Sequence, residues 1–203
     1  MKSLFFRFRF LVLLMTVLIP LVSQAAPRKT EAELLAMLKS PEPDKVIDAL
    51  DRLPNWYPNS TTAVMQIREL LGTRTTARGL PSNLVTRKAA RALGNYGATL
   101  GEEDINVFLS LIRSSTVDDV MDGLKALRGL KQPAESERKI AAEVALLLKD
   151  KEVHIVRDAM RTLGAVGNKD SIAALEPFLG HSRVDVKADA RAAIASLQKK
   201  TAK

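Results

Sequence analysis

The sequence predicts an all-α protein, an α-solenoid of about five stacked helix pairs, and three observations lead to that prediction. A seven-residue segment recurs five times along the chain. Between its copies lie segments whose apolar residues have helical spacing, and no segment shows sustained period-two alternation of β-branched residues. Internal repeats of about 20–50 residues are typical of solenoids.

Residues 1–25 predict a secretory signal peptide. Three basic residues precede a 13-residue apolar run at 10–22, and Ser23 and Ala25 are small residues at the positions that a signal peptidase reads. The alternative, an uncleaved membrane anchor, needs about 18 or more apolar residues, which this run does not supply. Removing these 25 residues, three of them basic, from 203 would leave 178 residues with a net charge of +5. We therefore expect export to the periplasm or beyond the cell.

The remaining chain divides into three predicted parts. Residues 26–29 would form a short exposed lead, residues 30–198 the repeat domain, and residues 199–203 a basic tail that frays. The first stretch of the repeat domain, residues 30–40, would be a capping helix. No second apolar run is long enough to span a bilayer, so no stable membrane span is expected after cleavage.

The recurring segment has a small residue at its third position and an aliphatic residue at its seventh. Positions four apart lie on the same face of a helix, so these two residues are expected in the core. The copies occupy residues 47–53, 87–93, 121–127, 157–163 and 188–194. Gly94, Gly97, Gly164 and Gly167 follow two of the copies at the same offsets, which predicts that they end those helices.

One copy and the helix after it resemble the HEAT-like repeats of the phycobilisome-lyase type. The matching residues are Val156, Arg157, Ala159, Leu163, Gly164 and Gly167, followed by Ile172, Leu175, Phe178 and Leu179. Residues 87–97 resemble a second copy, and the resemblance covers roughly residues 46–197. It implies a right-handed superhelix whose second helices line a concave binding surface. It does not imply bilin attachment, because the matched motif contains no catalytic residue.

Residues that could carry catalysis or hold a cofactor are not found. The absence of cysteine excludes disulfides, thiolate metal sites and a cysteine nucleophile. His154 and His181 have no partner at helical spacing, so no metal site or cofactor is expected. Four aspartates recur at the second position of the segment, and we interpret them as inter-repeat salt-bridge partners or helix caps rather than as a catalytic pair: Asp48, Asp122, Asp158 and Asp189. An enzyme is not predicted.

A basic track is the main candidate binding site. Arg91, Lys125 and Arg161 occupy the fifth position of three successive copies, while Arg87 and Arg157 occupy the first position. Two interpretations stay open: a track that binds an acidic protein or an anionic envelope polymer, or an ordinary solvated helix face. In the first case the three fifth-position cations would be exposed and would contribute little to stability.

Trp56 and Tyr57 are a second candidate contact. They lie between Pro54 and Pro58, which predicts a stiff turn in an irregular stretch. Exposed, the pair would be a binding hot spot, because Trp and Tyr are enriched there. We favour the alternative, in which the pair packs beneath the N-terminal segment and seals the first repeat.

Together these observations predict a non-enzymatic adaptor, a periplasmic or secreted monomer that binds a protein partner on its concave face. The alternative is a constitutive accessory subunit or assembly factor of a cell-envelope complex. Nucleic acid is not expected as a partner, because export separates the protein from it and stacking aromatics are scarce.

The first testable prediction concerns the N-terminus. Protein recovered from the cell envelope or the medium should begin at Ala26, because cleavage after Ala25 fits the small-residue rule. N-terminal sequencing measures this directly. A chain that begins at Met1 would contradict both the cleavage and the localisation that depends on it.

Overall fold

The computed structural model describes residues 28–72 and 84–201, and this part of the chain forms ten α-helices. In chain order they are α1 Glu31–Leu38, α2 Pro43–Trp56, α3 Thr61–Gly72, α4 Leu84–Tyr96, α5 Glu102–Ile112, α6 Val117–Gly129, α7 Ala134–Leu146, α8 Val153–Val166, α9 Asp170–Leu175 and α10 Val184–Thr201. Two short 3-10 segments, Leu147–Lys149 and Glu176–Gly180, follow α7 and α9. The predicted signal peptide lies outside the described residues.

The ten helices form five consecutive pairs stacked in two layers. Each odd-numbered helix packs against the even-numbered helix that follows it. The even-numbered helices also pack on one another in chain order, α2 on α4, α4 on α6, α6 on α8 and α8 on α10. Contacts within the odd-numbered layer are less extensive. The predicted all-α solenoid of about five helix pairs is confirmed.

The recurring segment supplies the centre of the core. All five copies lie on the even-numbered helices. Their small third residues are buried, and the seventh-position leucines, Leu53, Leu93, Leu127 and Leu163, are at most 1% exposed. The seventh residue of the last copy, Ile194, is only partly buried, and no further repeat packs beyond α10 among the described residues. Each repeat thus buries its apolar face against its neighbours, as expected for a quasi-one-dimensional stack.

The predicted roles of Gly94 and Gly164 as helix-ending residues are wrong. Both lie inside helices, where the next even-numbered helix approaches their backbone. A Cβ on Gly94 would lie 2.7 Å from the carbonyl oxygen of Ala126, and one on Gly164 would lie 2.9 Å from the Cα of Ala193. Gly97, with a φ of 61°, follows α4 and does end it.

The predicted stiff turn from Pro54 to Pro58 is also wrong, because α2 continues through Pro54 to Trp56. Pro54 lies in the last helical turn, where its missing N–H removes only one hydrogen bond. The turn still closes, since the backbone N–H of Tyr57 donates to Leu53 at 2.9 Å. The irregular stretch is therefore limited to the few residues before α3.

The N-terminal end of the repeat domain agrees with the predicted capping helix, whereas the C-terminal helix extends into the predicted basic tail. Residues 30–40 contain α1, which begins with a capping box between Thr30 and Glu33, as a capping helix should. The basic tail does not start at 199, because Lys199 and Lys200 belong to α10 and Lys200 donates to the carbonyl oxygen of Ala165. Residues 202–203 lie outside the described part of the chain.

Close backbone contact between α4 and α6 leads to the second prediction. A Cβ on Gly129 would lie 2.1 Å from the carbonyl oxygen of Gly94, where only backbone can move. Gly129→Ala should therefore lower the free energy of unfolding by about 1–3 kcal/mol, as overpacking does. Gly180→Ala is the matched control, because a Cβ there meets nothing within 4 Å. Equal melting temperatures for the two variants would contradict the close approach.

Candidate functional site: the face of the even-numbered helices

The fifth-position cations lie on one face of the stack. Arg91, Lys125 and Arg161 project from the consecutive helices α4, α6 and α8, and all three are exposed. We call the exposed side of α2, α4, α6, α8 and α10 the even-helix face. The predicted alignment of these cations is present, and their role in binding stays a prediction. The contacts between neighbouring even-numbered helices are described below as the first (α2–α4), second (α4–α6), third (α6–α8) and fourth (α8–α10) junctions.

At the second junction two arginines of α4 converge on one aspartate of α6. Arg91 Nη1 lies 3.2 Å from Oδ1 of Asp122, and Arg87 Nε lies 3.0 Å from Oδ2 of the same residue without the alignment of a hydrogen bond. Arg87 Nη1 also lies 3.1 Å from Asp118 and 3.7 Å from Asp119. Each oxygen of the recurring aspartate thus faces a cation from the preceding repeat.

The fourth junction repeats this arrangement one helix pair along. Arg157 Nε and Arg161 Nε donate to the two oxygens of Asp189 at 2.5 and 3.0 Å. Arg157 also donates to Asp185 at 2.9 Å. A hydrogen bond from Arg183, with further contributions from the Val186 amide and Arg157, lowers the pKa of Asp185 to about 2. The recurring aspartates therefore act as inter-repeat salt-bridge partners, as the sequence predicted. Arg91 and Arg161 are exposed, as expected for a basic track, and each also forms an ion pair with an aspartate of the next repeat.

The first junction has the same contact with its charges reversed. Here the fifth-position residue is Asp51 and the second-position residue is Lys88, whose Nζ lies 3.0 Å from both carboxylate oxygens. The register of the repeat thus places an ion pair at this point whichever helix supplies the cation. Because the acid stands at the fifth position here, the series of fifth-position cations begins only at the next helix, with Arg91.

The third junction is the one where the pattern is incomplete. Asp158 is only 4% exposed, and its Oδ1 lies 3.1 Å from Arg128 and 3.2 Å from Arg161 of its own helix. Its Oδ2 is buried with no hydrogen-bond partner. Met121 occupies the first position, where arginine stands in the second and fourth junctions. Lys125 has no ion pair with any described residue, unlike the other two fifth-position cations.

Trp56 and Tyr57 contact the N-terminal residues Arg28 and Lys29. The Arg28 guanidinium carbon lies 5.1 Å from the centre of the Trp56 ring and 5.3 Å from that of Tyr57, which is cation–π distance. The Tyr57 hydroxyl donates to the carbonyl oxygen of Lys29 at 2.8 Å, and both aromatic residues are half-buried. The favoured interpretation, a pair packed beneath the N-terminal segment, agrees with this geometry. The described part of the predicted exposed lead, residues 28–29, therefore contacts α2, and Arg28 remains exposed.

Lys29 also takes the place of a preceding repeat. Its Nζ lies 2.8 Å from Oδ2 of Asp48, which is the first of the recurring aspartates. The hydrogen bond from Lys29, aided by one from Arg52, outweighs burial and lowers the pKa of Asp48. A lowered carboxyl pKa stabilises the folded state above the ordinary aspartate value of about 4, and that stabilisation is lost as pH falls through the lowered value.

Two ion pairs of the odd-numbered layer were not predicted. Arg113 donates through Nε to Glu143 at 2.9 Å and through Nη2 at 2.5 Å, so that the pKa of Arg113 is raised and that of Glu143 lowered. Arg68 Nε lies 3.0 Å from Asp104, which is 7% exposed. These residues do not recur at one position of a repeat, so no sequence signal marks them.

Within residues 28–72 and 84–201 no group of three or more acidic or histidine side chains could hold a metal ion. His154 is exposed, 3.9 Å from Glu152, and Nδ1 of His181 accepts from the backbone N–H of Arg183 at 3.1 Å. No helix of the described chain has the length and apolar character needed to cross a bilayer.

Comparison with solved structures identifies the fold. The CpcE–CpcF complex of phycocyanin lyase from Nostoc sp. PCC7120 matches with a TM-score of 0.63 and 22% identity, over 89% of this chain and 69% of that one. A designed armadillo repeat protein in complex with a (KR)4 peptide matches with a TM-score of 0.56 and 14% identity, over 81% and 80%. An engineered protein gives a TM-score of 0.57 at 20% identity, over 81% and 78%. No family model and no curated protein matches the chain. The fold is thus that of HEAT- and armadillo-like helical repeats.

The third prediction distinguishes a cation that stabilises the fold, Arg87, from one that is exposed and has no ion pair with a described residue, Lys125. The side chain of Arg87 is 16% exposed and lies among three aspartates, so Arg87→Gln leaves buried carboxylates with fewer partners. It should lower the free energy of unfolding by about 2–4 kcal/mol. Lys125→Gln removes the same charge from an exposed site and should stay within about ±0.5 kcal/mol. Chemical denaturation of both variants measures the difference, and similar losses would contradict the distinction.

The fourth prediction uses Trp56, the only tryptophan. Arg28→Ala uncovers one face of its ring, so acrylamide should quench the native fluorescence more strongly than in the unchanged protein. Arg138→Ala, an exposed arginine of α7, is the control and should leave quenching unchanged. Native quenching already as complete as in urea would show that the seal does not form in solution.

Proposed function

We propose that this HEAT- and armadillo-like repeat protein is a non-enzymatic scaffold that is exported by its signal peptide and binds a protein partner on the even-helix face. The observation that carries the proposal is the regular spacing of polar side chains on that face. Their positions are held by ion pairs between repeats, for example Arg91 with Asp122 and Arg161 with Asp189. Side chains held in this way lose little further conformational freedom on binding.

The expected partner is an acidic protein segment. The designed armadillo repeat protein named above holds a basic (KR)4 peptide, so a helical stack of this kind can present a peptide-binding surface. On this chain the exposed fifth-position residues of the central repeats are the cations Arg91, Lys125 and Arg161, which favour the opposite charge. The lyase activity named for the CpcE–CpcF complex is not proposed here, since 22% identity concerns the fold alone.

A second candidate function is supported by the C-terminal end of the stack. The first and fifth positions of the last copy are Ala188 and Ala192, which are exposed, and Val184 is 76% exposed. An accessory subunit or assembly factor of an envelope complex would bind by such an end. A binder of an anionic envelope polymer would instead use the cations of the even-helix face, without selecting one protein.

A photo-crosslinking amino acid at three sites tests these functions in intact cells. Asn95 is exposed on α4 of the even-helix face, Met65 is 61% exposed on the odd-numbered layer, and Val184 lies at the C-terminal end. The scaffold proposal expects one discrete protein product from position 95 and none from position 65. Crosslinking from position 184 alone would favour the subunit, and crosslinking to polymer alone would favour the polymer binder.

A further inference from the structure

The third junction carries an excess of positive charge that the other central junction does not have. Arg128 and Arg161 both pair with Asp158 there, Arg161 is shared with Asp189 of the fourth junction, and Lys125 is exposed without an ion pair to any described residue. At the second junction, two arginines of α4 face three aspartates of α6, namely Arg87 and Arg91 with Asp118, Asp119 and Asp122. Among the first- and fifth-position cations of the described helices, Lys125 is the one without an ion pair to a described residue, so the even-helix face is not a uniform basic track.

The cause is the substitution of one residue in the repeat. Arg87 and Arg157 each place a guanidinium beside Oδ2 of the next aspartate, whereas Met121 supplies no donor at the same position. Asp158 Oδ2 is left buried and unpaired, an arrangement that lowers stability and therefore requires an explanation. Lys125 is not drawn into this gap but remains exposed.

We propose that the third junction is the anchor of the even-helix face, where a glutamate or aspartate side chain of the acidic partner binds Lys125 and the outer edge of Arg161. Arg161 uses Nε on Asp189 and Nη1 on Asp158, so its Nη2 is available to a further acceptor. Its orientation is fixed by those two bonds before the partner arrives. Lys125, in contrast, supplies a charge that no described residue neutralises. The inference rests on the scaffold function proposed above.

The anchor has a definite size and chemistry. Neighbouring packed helices lie about 8–10 Å apart, so the fifth positions of α6 and α8 can both reach one carboxylate. One acidic side chain of the partner can therefore contact both Lys125 and Arg161. Acidic side chains of the partner on either side of this one would lie near Arg91, which already pairs with Asp122, or near Ala192, which carries no charge. An acidic segment is thus expected to bind most tightly in one register, centred between Lys125 and Arg161.

A binding experiment with a defined probe tests the anchor. The probe is a tetraglutamate peptide capped at both ends, and tetraglutamine is its neutral counterpart. The reporters are the 13C-labelled methyl groups of the methionines in the full chain, because Met121 lies at the third junction and Met65 on the odd-numbered layer. Tetraglutamate should shift the Met121 signal saturably and leave Met65 unchanged, whereas tetraglutamine should shift neither.

Two lysine variants complete the design. Lys125→Gln should weaken tetraglutamate binding about three- to tenfold, as expected for one charge at an interface. Lys39→Gln removes an equal charge from an exposed site at the end of α1 and should leave the affinity unchanged. Equal weakening by both variants would show general charge attraction and overturn the anchor. The anchor would also be overturned if the Lys125→Gln protein melted several degrees lower but bound tetraglutamate with unchanged affinity. Lys125 would then stabilise Asp158 rather than bind the partner.

The anchor and the scaffold function fail in different ways. If the Lys125→Gln protein still crosslinks the same partner from position 95 with unchanged yield, the anchor is overturned and the scaffold function stands. If tetraglutamate shifts Met121 and Lys125→Gln weakens that binding to the expected extent, the anchor is supported even where position 95 yields no protein. In that second case the scaffold function fails, and the site serves an anionic ligand of another kind.

Discussion

Close approach of successive even-numbered helices is the constraint on which the rest of the stack depends. A single helix pair cannot bury its apolar face, so each repeat needs its neighbour. The approach is limited by backbone contact, as between Gly94 and Gly129, where a side-chain carbon would overlap a carbonyl group. At this separation the leucines at the seventh position are sealed from solvent, and the charged first and fifth positions come within reach of the next aspartate.

The ion pairs that follow from this approach limit what the even-helix face can bind. A cation that shares a buried carboxylate offers less charge to a partner, and its removal leaves that carboxylate unpaired. Arg87 and Arg157 each pair with aspartates of the next repeat, and their role in binding stays a prediction. The proposed anchor lies where the series of inter-repeat ion pairs is incomplete, at Met121 and Lys125. At the same junction Asp158 Oδ2 is buried without a hydrogen-bond partner, which lowers stability, while Lys125 is exposed.

The described N-terminal residues Arg28 and Lys29 contact the first described repeat. Lys29 binds Asp48 as an arginine of the preceding helix would, while Arg28 covers the rings of Trp56 and Tyr57. On α10 the first and fifth positions are occupied by Ala188 and Ala192, so the last described copy carries no cation at either position. The two ends thus differ in chemistry, one closed by a docked segment and the other left with small exposed side chains.

The sequence by itself determined the helical class, the number of repeats and the register of the core, because spacing along a helix decides which side chains share a face. The recurring aspartates were recognisable as salt-bridge partners for the same reason. Their partners were not, since Arg87 and Asp122 belong to different helices and meet only at the distance and angle at which those helices pack. The same limit applies to the interior position of Gly94, the docked lead and the helical Pro54. Each depends on contacts between residues distant in the chain or on the geometry of a turn, and only the tertiary structure decides these.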